Sequence, residues 1–160
     1  MCIRDSVSPW LSIHVSLIMM SYALLAFIML NGILALCLRK KEPENNVSEN
    51  DDRQDNRIEQ LTLVSRLLLY PATFFLGAGI FLGAVWANVS WGRYWAWDPK
   101  EVWALITFLV YGAAFHSQSL RIFRKPLFFH IYMILAFLTV LMTYFGVNYV
   151  LGGMHSYANS

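Results

Sequence analysis

LLLYPATFFLGAGIFLGAVWANV, residues 67–89, carries no charged side chain, and roughly 20 helical residues suffice to cross about 30 Å of hydrocarbon. Comparable apolar runs lie at approximately 12–38, 102–120 and 127–150. Backbone groups in lipid must bond to one another, and uninterrupted runs of this length do so as helices, not as the alternating strands of a barrel. Over the 160 residues, 58% are hydrophobic, 16% aromatic and only 14% charged, well outside the soluble globular range. The expected fold is therefore all-α: a polytopic membrane protein of about four transmembrane helices with an external Trp-rich loop and no sizeable soluble domain.

On this plan, residues 1–9 are a leader, 10–38 the first transmembrane helix and 39–66 a polar linker. Residues 67–160 form a membrane domain with spans at 67–89, 102–120 and 127–150, a loop at 90–101 and a tail at 151–160. The opening MCIRDS has no apolar core and cleavage site before the first span, so it does not read as a signal peptide, and a truncated or mis-started chain is expected. Cys2 and Cys37 form no CxxC or metal-type spacing, and no disulfide between them is expected.

Basic residues flanking membrane spans favour the cytoplasmic side. Arg39, Lys40, Lys41, Arg53, Arg57 and Arg66 lie between the first two spans, and Arg121, Arg124 and Lys125 between the last two. The opposite side carries only Arg93, Lys100 and Arg4. The linker and the 121–126 turn therefore read as cytoplasmic, and the start of the first helix, the tryptophan loop and the C-terminal tail share the outer face. Residues 39 to about 57 are polar, mixed in charge and poor in apolar side chains, the pattern of a solvated, flexible connection. Ile58, Leu61 and Val64 then recur at helical spacing, as a short amphipathic lead-in to the second span. Pro71 reads as a first-turn or kinking proline, and Gly79, Gly83 and Ala87, four apart, clear a helix face for a close neighbour.

SWGRYWAWDPKEVW, residues 90–103, puts four tryptophans and a tyrosine beside Asp98 and Glu101. Aromatic residues gather at headgroup level in any membrane protein, yet such a belt needs no fixed order. Asp98, Pro99 and Glu101 match a helix N-cap, first helical residue and reciprocal capping-box partner. Trp91, Trp95 and Trp97 beside Gly92 remain, and flat side chains there form an apolar shelf suited to a planar ligand. Capping and ligand binding are compatible roles.

His14 opens the first helix and His155 follows the fourth, so topology brings them to the face that carries the tryptophans. Either alone reads as a snorkelling polar group. Two on one face with an aromatic platform favour a bis-histidine metal site, and an iron porphyrin is the planar ligand that takes two axial imidazoles. No carboxylate or thiolate cluster supports zinc or copper. His116 sits inside the third span, about 20 Å from Val102, and an ionisable group at membrane depth is a functional candidate by default. His130 reads as an interfacial residue.

WGRYWAWDPKE closely resembles the WWD signature of the haem-handling cytochrome c biogenesis proteins, and VWALITFLVYGAAFHSQ their next helix. PWLSIHVSLIMMSYALL and TYFGVNYVLGGMHSYA resemble the segments that bear the family's two external histidines. The Asp-Pro-Lys-Glu version followed by Val-Trp-Ala-Leu-Ile is similar to the CcsA (ResC) type of the System II pathway. The resemblance implies that His14 and His155 ligate haem iron, and that the segment bearing Trp91, Gly92, Trp95, Trp97, Asp98 and Glu101 binds the porphyrin of haem b. It implies a second, inner haem site for His116, whose partner ligand resides in a ResB-like membrane subunit. Haem would be presented to the CxxCH thiols of an apocytochrome c for thioether formation, at the outer face of a bacterial inner membrane or a thylakoid. Other readings are a haem carrier without covalent chemistry and a haem-free membrane scaffold. In each the site orients a ligand, since nothing resembles a nucleophile paired with a base.

Overall fold

The computed structural model describes residues 9–40, 49–117 and 121–151, and every described element is helical. Four α-helices follow in order: α1 (Pro9–Lys40), α2 (Glu49–Trp91), α3 (Pro99–Ala113) and α4 (Pro126–Leu141). A 3-10 turn, Ala114–Ser117, prolongs α3; a second, Arg121–Arg124, precedes α4; and α4 runs on into a π-helical stretch, Met142–Leu151.

Side-chain contacts set an up-down-up-down bundle. Along α1 and α2, His14 meets Gly79, Ser21 Oγ donates to the Ala72 carbonyl at 2.8 Å, and Asn31 Nδ2 donates to Ser65 Oγ at 3.4 Å. As one number rises the other falls, so the two helices are antiparallel. The Tyr132 hydroxyl donates to the Val110 carbonyl at 2.7 Å and Thr107 pairs with Thr143 at 3.2 Å, which makes α3 and α4 antiparallel in the same way. Gly32 packs against the His130 backbone and Ile134, closing α4 onto α1. Short connections with antiparallel neighbours are the usual solution for four helices.

The molecule is apolar outside and partly polar inside. Phe74 and Phe81 are 70% and 69% exposed, whereas Ser21, Asn31, Ser65, Thr73, Thr107 and Thr143 are buried. A soluble bundle would not tolerate so large an apolar exterior, and interhelical hydrogen bonds between small polar groups are the adhesive of helices in lipid. Pro9–Arg39, Arg53–Trp91 and Pro126–Val147 are each long and apolar enough to cross a membrane. α3 has 15 residues, about 22 Å of helix; the four residues of its 3-10 turn add about 8 Å, so the pair together reach the length of a span. The chain is an all-α polytopic membrane protein.

Two local expectations change. The flexible connection to about residue 57 and the separate lead-in at Ile58 are replaced by one continuous helix from Glu49. Tertiary packing supplies what composition lacked: Gln54 Nε2 donates to the Leu38 carbonyl at the end of α1, and Thr62, Ser65, Leu69 and Ala72 continue a buried stripe at helical spacing. Pro71 therefore lies well inside α2, not in its first turn, and its ring deprives the Leu67 carbonyl of its usual donor.

His130, one turn into α4, is buried within the bundle at 1% exposure and faces α2, with Nε2 2.9 Å from Thr62 Oγ1. That hydroxyl donates its proton to the Ile58 carbonyl at 2.7 Å, so it can only accept from His130, and the imidazole carries its proton on Nε2. Nδ1 is left buried with no hydrogen-bond partner among the described residues. Because Thr62 keeps its own bond without the histidine, His130→Leu removes a costly unmet acceptor. The variant is expected to unfold about 2–4 °C higher than the parent in a thermal melt, the shift that about 1 kcal/mol gives a chain of this size.

Candidate functional site

A cavity of about 440 Å³ opens between α1, α2, the tryptophan loop and α3, within the range of small-molecule sites. α1 lines it with Leu11, His14, Val15, Ile18, Met19 and Tyr22, the i, i+3, i+4, i+7 stripe of a single helix face. α2 adds Gly83, Ala84 and Trp86, the loop adds Tyr94 and Trp95, and α3 adds Lys100, Glu101 and Ala104. Thr143 and Tyr144 close the side toward the π-helical stretch.

His14 is held in one orientation. Its Nδ1 lies 2.7 Å from the Gly79 carbonyl, which can only accept, so Nδ1 bears the proton and the lone pair is on Nε2. That is the tautomer of a metal-ligating histidine braced by a backbone carbonyl. The brace depends on Gly83: a Cβ there would sit 2.7 Å from His14 Cε1 and 2.9 Å from Nδ1. The small-residue face read from Gly79 and Gly83 thus admits particular side chains, Ile18 over Gly79 and the imidazole over Gly83.

The loop is rigid by hydrogen bonding. Gly92 ends α2 at φ 73°, its N–H bonded to the Asn88 carbonyl at 2.9 Å, a left-handed cap that glycine adopts without steric cost. Asp98 caps α3, its carboxylate accepting from the Lys100 amide at 3.2 Å, with Pro99 as the first helical residue. Glu101 Oε2 accepts from the Asp98 amide at 3.2 Å and from the Ala96 amide at 2.8 Å. The capping box is complete, and its second bond clamps both sides of Trp97, which adopts φ 57°, a conformation costing a non-glycine residue about 1–2 kcal/mol. Asp98 and Glu101 are thus builders of the loop first.

The tryptophans do not form one shelf. They pair edge to face: Trp86 with Trp91 at 5.1 Å, and Trp95 with Trp97 at 6.2 Å. Of Trp91, Trp95 and Trp97, only Trp95 lines the cavity. Trp91 backs the ring of Trp86, and Trp97 is 75% exposed. Trp86, Tyr94, Tyr22 and Lys100 escaped the sequence reading, although the α1 stripe that leads to Tyr22 was present in the helical spacing from His14. Burial holds the Lys100 ammonium below the ordinary lysine range, and the neighbouring Asp98 carboxylate partly opposes this.

His116 is exposed, on the 3-10 turn at the end of α3, with φ −80° and ψ 28°. It thus stands near the end of the third helical segment, on the turn into which α3 tightens after Ala113. His155 lies outside the described residues, as does most of the tail. No group of three or more His, Cys, Asp or Glu side chains among the described residues is arranged to hold a bare metal ion. A porphyrin iron asks less of the protein, since the macrocycle supplies four ligands. An imidazole with its lone pair on Nε2 and a largely apolar, aromatic-walled cavity fit that group.

Known proteins resemble this chain over most of its length. The chain is 40% identical over 151 residues to the protein NrfI of Wolinella succinogenes, covering 94% of this chain and 16% of that one. It is 40% identical over 152 residues to the cytochrome c biogenesis protein CcsA of Chlamydomonas reinhardtii, covering 94% of this chain and 41% of that one. To CcsA of a Synechococcus species it is 36% identical over 172 residues, covering 94% and 55%. The chain spans about half the length of the CcsA relatives it matches. A profile described as Cytochrome C assembly protein matches residues 5–155, and the chain belongs to that family.

Proposed function

We propose that this chain binds haem b at its outer membrane face and presents it for covalent attachment to an apocytochrome c. The observation that carries the reading is the His14 imidazole, oriented by the Gly79 carbonyl at 2.7 Å, at the wall of a cavity faced by Trp86, Tyr94 and Trp95. His14 Nε2 would take one axial position and His155 the other, while the aromatic side chains cover the apolar faces of the ring. Two axial ligands fix the iron and the plane of the macrocycle together. Positioning is then the chain's main contribution: each CxxCH thiol adds its S–H across a vinyl C=C, forming one thioether with no leaving group and no net redox change. The rigid loop keeps one edge of the ring accessible.

The exposure of His116 at the end of α3 suits a ligand position completed by another subunit, a ResB-like membrane partner. On this reading His116 belongs to an inner haem site, and haem passes outward to His14 and His155. The tryptophan loop and both outer histidines face away from the cytoplasm of a bacterial inner membrane or its thylakoid equivalent, as the basic residues at 39–66 and 121–125 favour.

The test is a visible spectrum of the detergent-solubilised chain, followed by coexpression with a ResB-like subunit and a CxxCH acceptor. A bis-histidine haem spectrum is expected, lost in His14→Ala and His155→Ala, together with covalent haem on the acceptor. A spectrum unaffected by both substitutions rejects the site. Haem binding without covalent transfer under coexpression favours a carrier instead.

A further inference from the structure

We infer that the turn between α3 and α4 is a docking site for the phosphate of an anionic membrane lipid, held by Arg121, Arg124 and Lys125. These three cations fall between residues 121 and 125, and no aspartate or glutamate follows Glu101 in the sequence. From Val102 onward the chain therefore brings no acidic side chain of its own to offset them.

The fold gathers these charges on one fixed surface. Arg121–Arg124 is a single 3-10 turn, in which side chains three apart eclipse one another, so the two arginines share a face, and both are exposed. The turn is anchored from behind. Phe123 is buried, its ring 5.3 Å from Phe128 and 4.8 Å from Tyr132. Arg66 reaches across from α2 and donates to the Phe123 carbonyl at 2.8 Å, while its guanidinium lies 5.2 Å from the Phe129 ring. That bond adds a fourth cation to the same end of the bundle and keeps the turn from rolling over. The outward face is thus set before a ligand arrives, which lowers the cost of ordering it.

The position of the turn selects a lipid as the occupant. Lys125 is exposed at the N-cap of α4, and Pro126 opens a segment long and apolar enough to cross a membrane, so the cations stand where that segment meets the headgroups. Ile122, between the two arginines, is 50% exposed and offers an acyl chain a contact that a free phosphate has no use for. A guanidinium presents paired N–H donors to phosphate oxygens. A phosphate bridging Arg121 and Arg124 would also relieve the repulsion between two like charges held on one face. Each basic residue near an anionic leaflet contributes about fivefold in affinity.

The experiment titrates the full chain in neutral detergent with dioleoylphosphatidylglycerol and, separately, with dioleoylphosphatidylcholine, and counts bound lipid by native mass spectrometry. The parent is expected to hold the anionic lipid at least tenfold more tightly than the zwitterionic one, on the order of what two or three basic contacts supply. Arg121→Gln combined with Lys125→Gln is expected to weaken phosphatidylglycerol binding about tenfold to thirtyfold and leave phosphatidylcholine binding within about twofold. The control is Arg39→Gln with Arg57→Gln, which removes the same charge from exposed positions on α1 and α2 and should leave both lipids within about twofold of the parent. Equal weakening in the control would mean diffuse attraction to the whole basic end and overturn the inference. Equal binding of the two lipids by the parent would overturn it without recourse to any variant. Displacement of phosphatidylglycerol by an equal concentration of inorganic phosphate would overturn it as well, since the site would then take the free ion and not the lipid.

Discussion

Gly83→Ala is expected to lower haem affinity about tenfold to a hundredfold while the bundle stays folded. The added Cβ would lie 2.7 Å from His14 Cε1 and 2.9 Å from Nδ1, closer than real carbon contacts allow. Overpacking of this kind costs about 1–3 kcal/mol, and each 1.4 kcal/mol is about tenfold in affinity. The ring relieves the contact by swinging off the Gly79 carbonyl, and it then loses both its brace and its aim. Gly77→Ala is the matched control on the same helix. Its Cβ would meet Phe108 Cε2 at 3.0 Å and no atom of His14 within 4 Å among its nearest neighbours, and the haem spectrum should survive. Titration of both variants by Soret absorbance decides the matter, and parental affinity in Gly83→Ala would mean that His14 is not the ligand.

Glu101→Ala is expected to release the tryptophan loop. The carboxylate holds the amides of Ala96 and Asp98 at 2.8 and 3.2 Å, one on either side of the left-handed Trp97. Loss of a capping interaction costs about 0.5–2 kcal/mol, and two orphaned amides put this variant at the upper end. Trp97 would relax out of its strained conformation and draw Trp95, its edge-to-face neighbour, from the cavity wall. Limited chymotrypsin digestion should cut within residues 91–97 several times faster than in the parent, and about one tenth or less of the haem affinity should remain. Glu101→Gln keeps one acceptor oxygen and should fall between. Digestion at the parental rate in Glu101→Ala would show that the loop is held by something other than this carboxylate.

Much of the capping chemistry was legible in the letters themselves. Asp98, Pro99 and Glu101 sit at the spacing of a capping box, and the box is present, because it is a contact within one turn and needs no other part of the chain. Membrane spans are legible for a similar reason: an apolar run reports on its solvent residue by residue. The extent of α2 was not legible. Its polar first turns resemble a solvated linker, and what makes them helical is the end of α1, reached through Gln54 and the buried face of Thr62 and Ser65.

The candidate site divides along the same line. From the sequence alone came an all-α membrane fold, the family, the capped loop and the histidines worth examining, since each rests on local pattern or on topology. Only the tertiary structure decided that Trp95 and Trp86, not Trp91 and Trp97, face the cavity, that Lys100 joins them, that His130 is buried, and that a glycine on α2 holds the His14 ring. These facts depend on which faces of separate helices meet. A side chain's neighbours across an interface are set by helix register and close approach, and neither is written in the residues on one side of it.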